Sequence, residues 1–203
     1  VLKKGPGPAC REARRGFTLI ELMVTLALLA LLLGLAVPFV TTAMRNASVR
    51  SASEALQNGL RTAQAEAVRR NRQIVFSLTN DTPSVKSAAV VNGANWAIHT
   101  VPLKLNPAEV LEFVQGGALS DLARGVTIEG PVALCFNSAG RLAENDDPGV
   151  ADAKCKSQQL IEYTLNAKGA DRPLGVQVTL GGQVRMCEPT KKLSFDSPQG
   201  CKP

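Results

Sequence analysis

Arg14-Arg15-Gly16-Phe17-Thr18-Leu19-Ile20-Glu21-Leu22 opens the informative part of this 203-residue chain. Behind it an apolar run continues from Leu22 to Val40, and Glu21 is the one charged residue between Arg15 and Arg45. Phe17 to Val40 is 24 residues. As a helix this would reach about 36 Å at ~1.5 Å per residue, enough to cross a hydrocarbon core of roughly 30 Å. Basic residues precede the run, with Lys3, Lys4, Arg11, Arg14 and Arg15 set against Glu12. The positive-inside rule therefore places residues 1–16 in the cytoplasm and the bulk of the chain across the membrane. A buried core helix is a poorer reading, because the run has no polar face to turn to water. A cleaved secretory signal is another, since Gly34-Leu35-Ala36 has small residues suited to cleavage before Val37-Pro38. The length of the run and the carboxylate at its start argue against it, because a charge at the lip of a bilayer is expensive and usually has a role.

Composition bounds the rest. Lys and Arg number 23 against 17 Asp and Glu, giving a formal net charge of +6, and 45% of the residues are hydrophobic. That apolar content excludes wholesale disorder. The basic excess lies largely in residues 1–16, so composition does not by itself make a nucleic-acid binder. No phosphate loop, nucleophile elbow or helix-borne zinc motif is present, and Asp146-Asp147 reads as a solvent-facing loop, so an enzyme is not expected. No cofactor is expected either.

Beyond Met44 the chain turns polar and stays helical. Val49, Ala52, Leu56, Leu60, Ala63 and Ala67 form one apolar stripe, with Arg50, Glu54, Asn58, Arg61 and Arg69 off it. The spacing predicts one long helix from about Phe17 to Arg72, with Gly34 and Pro38 as weak points inside it. The period then changes. Strands are expected at Ile74–Leu78, Trp96–Val101, Val110–Val114, Val126–Ile128, Val132–Phe136, Leu160–Leu165, Val176–Leu180 and Gln183–Cys187, the last two joined by Gly181-Gly182 as a hairpin. Segments 79–95 and 141–157 read as loops. Strands do not alternate with helices, so the fold class is α+β: a long helix followed by a head of six to eight short antiparallel strands. The expected organisation is a leader (1–16), the apolar half of the helix (17–44), its amphipathic half (45–72) and a strand-rich head (73–203).

The nine residues 14–22 resemble the prepilin signature of type IV pilins and the pseudopilins of type II secretion. The resemblance implies cleavage by a prepilin peptidase between Gly16 and Phe17 and N-methylation of Phe17. It also gives Glu21 a role in setting the axial register of one subunit on the next, by pairing with a neighbour's N-terminal amine. The alternative for Glu21 is a carboxylate placed at the positive end of the helix dipole. The layout, with Leu60-Arg61-Thr62-Ala63-Gln64-Ala65-Glu66-Ala67-Val68-Arg69-Arg70-Asn71 closing the helix, is similar to the H-type minor pseudopilins and the FimT and FimU minor pilins. The implied partners are the peptidase, other minor and major pilins or pseudopilins, and the inner membrane. The implied function is a minor subunit of a type IV pilus or type II secretion fibre, near its tip, with the head in the periplasm.

Five cysteines are present, and Cys10 would leave with the leader. Cys135, Cys155, Cys187 and Cys201 would then face an oxidising compartment. Nearest-neighbour pairing, 135 with 155 and 187 with 201, is one of three connectivities. A zinc site is disfavoured by the lack of a CxxC pair and the isolation of His99, read as a half-buried strand residue. Gly182-Gln183-Val184-Arg185 occupies the place where related chains often carry Gly-Arg-x-Arg, a tail linked to DNA capture in FimT-type proteins. Here Gln183 replaces the first Arg, leaving Arg185, Lys191 and Lys192 as the DNA-contact residues of an alternative reading, a pilus-tip DNA receptor.

Overall fold

A computed structural model describes residues 16–103, 108–119, 123 and 125–202, the side chains of 35–38 and 202 excepted. Residues 1–15 of the leader, Cys10 among them, and the side chains of Ala36 and Pro38 lie outside the described residues. The chain divides into two compact units, residues 1–40 and Thr41–Pro203.

One helix, α1, runs from Leu19 to Arg70. It starts two residues later than its apolar pattern suggests because Thr18 is its N-cap: the Thr18 hydroxyl accepts from the Glu21 amide at 3.2 Å. It ends two residues earlier because Asn71 takes a left-handed conformation (φ 51°). The Asn71 amide donates to the Val68 carbonyl and the Arg72 amide to the Ala67 carbonyl, the paired bonds of a Schellman stop. Asparagine tolerates this backbone better than most residues, which explains why Arg-Arg-Asn closes the helix.

Ten strands follow: β1 (Ile74–Thr79), β2 (Asn95–Thr100), β3 (Glu112–Ala118), β4 (Val126–Glu129), β5 (Ala133–Phe136), β6 (Leu142–Ala143), β7 (Leu160–Ala167), β8 (Leu174–Thr179), β9 (Val184–Lys192) and β10 (Gly200–Lys202). They form two five-stranded sheets, β3-β2-β1-β5-β6 and β10-β9-β8-β7-β4. Every pairing of named strands is antiparallel except β10 with β9, which is parallel. The expectation of six to eight antiparallel strands is thus corrected by two short additions. β6 lies in a segment read as loop, and β10 in the Pro-containing tail.

The head is organised around the stripe of α1. Val49, Ala52, Leu56, Leu60, Ala63 and Ala67 are fully buried, in one core with Ile74, Phe76, Leu78 and Ile98 of the first sheet and Tyr163, Leu165, Val176 and Val178 of the second. A second core lies on the other face of the first sheet. There Val75, Ala133 and Cys135 are covered by Ala89, Val101, Val150, Ala153 and Cys155. The segments read as loops therefore act as a third layer, and β1 is buried on both faces.

The third strand is the clearest positional difference. Expected at Val110–Val114, β3 runs on through Gly116-Gly117, a pair whose sequence by itself suits a turn. A Cβ on Gly116 would lie 2.1 Å from the Pro83 ring, and one on Gly117 2.6 Å from the Trp96 indole. These glycines are demanded by packing against a strand face, not by a turn.

Candidate assembly stem and head surface

The stem comes first. Phe17 and Gly16 precede the helix, and every large apolar side chain from Leu19 to Leu33 is more than half exposed. α1 is long and apolar enough in this part to cross a membrane. It stays helical through Gly34 and Pro38. Glu21 is exposed in the first turn, where the unpaired amides at the helix start favour a carboxylate. Thr18 and Glu21 have the spacing of a capping box, a local signal that the hydrophobicity-led reading passed over. A Cβ added at Gly16 would meet nothing within 4 Å, so the fold itself does not ask for glycine there.

At the other end of α1 an ion cluster pins the helix to the head. Arg69 and Arg70 both donate to the Glu66 carboxylate, at 2.6 to 2.9 Å, and Arg70 also reaches Glu112 at 2.9 Å. Hydrogen bonds from the two guanidinium groups hold the Glu66 carboxyl down at about 2. Arg72 pairs with Glu109 and donates to the Val101 carbonyl at 3.1 Å. The Glu109 carboxyl is likewise lowered, chiefly by Arg72.

Two disulfides fasten the head, the second of them holding its tail. Cys135 is bonded to Cys155 and Cys187 to Cys201, so these four thiols are not metal ligands. Beside the second bridge Gln177 is fully buried and donates to Glu162 at 2.8 Å and to the Cys201 carbonyl at 2.5 Å. Arg185 donates to Gln177 at 2.7 Å and to the same carbonyl at 3.3 Å. Lys191 pairs with Glu188 at 2.8 Å, and Lys192 is exposed. Arg185, Lys191 and Lys192 are thus not brought together as a free cationic patch. Gly182 (φ 90°) packs where a Cβ would be 1.9 Å from the Gly140 carbonyl oxygen, which itself accepts from Gln64 of the helix at 2.9 Å.

His99 is fully buried in β2 rather than half-buried. Its Nε2 lies 2.9 Å from the Ser84 carbonyl, where it donates, and burial pushes its pKa below 6.5 against the pull of that carbonyl. The neighbouring 79–95 segment, read as loop, is what encloses it.

A long N-terminal helix with an apolar first half, followed by a β head closed by disulfides, is the architecture of the pilin class. The chain matches the family described as Type II transport protein GspH over residues 52–182 and the prokaryotic N-terminal methylation motif over residues 11–37. It belongs to that GspH family. Among solved structures it is similar to the type IV minor pilin FimU of Pseudomonas aeruginosa, at 18% identity and a TM-score of 0.44, over 75% of this chain and 98% of that one. It is also similar to the minor pseudopilin EpsH from the Type 2 Secretion System of Vibrio cholerae, at 11% identity and a TM-score of 0.46, over 71% and 99% of the two chains. No curated protein is significantly similar in sequence.

Proposed function

We propose that this chain is a minor pilin or pseudopilin subunit of a type IV pilus or type II secretion fibre, held in the inner membrane until assembly and incorporated near the fibre tip. The observation that carries this reading is the uncovered stem. A continuous run of exposed leucines from Leu19 to Leu33 is not a surface that water can solvate cheaply. Two surroundings satisfy such a surface: hydrocarbon, or a bundle of equally apolar stems. Moving between them exchanges one apolar contact for another, so the transfer is nearly neutral, and a polar contact can direct it.

Glu21 supplies that contact. Unpaired in an apolar bundle it is costly, while beside the N-terminal amine of a neighbouring Phe17 it is compensated. That amine exists only after cleavage between Gly16 and Phe17. A prepilin peptidase is the agent this reading assigns, and Gly16 is compatible with it because the fold itself makes no demand for glycine there. Methylation of Phe17 follows cleavage.

Glu21→Leu tests the assignment. The variant chain is expected to be trimmed and to remain in the membrane fraction but to be strongly depleted from isolated fibres. Entry into fibres at the unchanged level would contradict it. DNA capture by the tail is not adopted as a second reading, because Arg185 is already committed to Gln177 and the Cys201 carbonyl, and Lys191 to Glu188.

A further inference from the structure

Phe195 is the one fully exposed aromatic among the described residues of the head. It is not on a loose end. It sits at the tip of a two-residue turn closed by Ser194 and Ser197, whose amides each donate to the other's carbonyl, at 3.3 and 3.1 Å. The loop is fastened by the Cys187–Cys201 bridge and by the Glu188 amide donating to the Gln199 carbonyl at 2.7 Å. An apolar ring presented on a fastened turn has already lost the freedom that binding would otherwise take away.

The base of this loop locates it. Glu188 lines a cleft together with Asn46, Arg50, Arg172 and Leu174. Asn46 accepts from the Asp171 and Arg172 amides at 3.1 and 3.3 Å, which brings the β7–β8 turn, with Lys168, to the same end. Exposed cations lie on these segments: Arg45, Lys168, Arg172 and Lys192, with Arg50 and Lys191 held in ion pairs. Among the described residues the acids at this end are Glu54, Asp171, Glu188 and Asp196. The first three are engaged by Arg50, Asn46 and Lys191 respectively. Asn46 is six residues from Val40, the end of the apolar run. At no more than about 3.6 Å per residue, Asn46 lies within roughly 22 Å of that point along the chain in any conformation.

We infer that this end of the head, with Phe195 at its tip, is a contact surface for the anionic headgroups of a lipid bilayer. The inference rests on the stem being anchored in a membrane. Cations beside an exposed aromatic ring are the chemistry that suits the interfacial layer: the ring enters it and the cations meet lipid phosphates. The contact would steady the head against the membrane surface before the subunit leaves for a fibre.

The test uses Phe195→Trp in the full processed chain, reconstituted in nanodiscs of phosphatidylcholine with or without phosphatidylglycerol. Trp96 is buried and contributes a shielded background. The introduced indole should be quenched by brominated lipid and protected from aqueous iodide in the phosphatidylglycerol discs. Adding Arg172→Glu and Lys192→Glu should lower the membrane-contacting population by roughly fivefold or more for each reversal. Undiminished iodide quenching while the chain stays in the disc overturns this inference and leaves the anchor standing. Protection that needs two chains per disc also overturns it, because the partner is then another subunit. Failure of the chain to enter discs at all removes the anchor reading and this inference with it.

Discussion

Glu66 and His99 make the stability of the head depend on pH in two separate windows. His99 is held below 6.5 by burial, so the folded state favours the neutral ring. Its contribution is present above about 6.5 and is lost as the pH falls. Glu66 is lowered from 4.5 to about 2 by Arg69 and Arg70, so its contribution is present above about 4.5 and is lost as the pH falls toward 2. Urea midpoints measured from pH 8 downward should therefore decline in two steps. His99→Gln should remove the upper step and Glu66→Gln should shrink the lower, the remainder of which belongs to Glu109 paired with Arg72. An unchanged profile in either variant would contradict the assignment. At this scale much was readable: the stripe from Val49 to Ala67 is the buried face, and Glu21 is at the helix start. The depth of His99 was not, because what buries it is a non-local segment with no periodic signal of its own.

Elements were legible where side-chain period carried them and illegible where it did not. α1 and the central strands follow their apolar patterns. β6 has two residues and β10 three, too short for any period to register. β10 is held by context: a disulfide, a buried glutamine and an arginine all converge on Cys201. β3 was misplaced because Gly116-Gly117 looks like a turn until Pro83 and Trp96 are seen against it. The same context gives a prediction. Replacing Cys187 and Cys201 together by Ser should lower stability by about 3 kcal/mol, the value for closing a loop of this size. It should also release residues 199–202 to rapid amide exchange while β7 and β8 stay protected. Slow exchange at 199–202 in the double variant would show that the hydrogen bonds to Cys201 suffice without the bridge.

For the whole molecule, the stem and the head answer to different surroundings. The head closes its own core with two sheets, a third layer and two disulfides. The stem leaves its large apolar side chains from Leu19 to Leu33 more than half exposed, and the assembly proposal starts from that difference. Arg185 is spent internally on Gln177 and the Cys201 carbonyl, so Arg185→Ala should lower stability and leave any retardation of DNA by the detergent-solubilised chain unchanged. Retardation abolished by Arg185→Ala at unchanged stability would restore a DNA-binding role.

The most direct measurement is the intact mass and N-terminal fragmentation of the polypeptide recovered from its native cells. The account predicts a chain beginning at N-methylated Phe17, with residues 1–16 gone and the stem retained. A chain still carrying those residues, or one that begins after the stem, would contradict it.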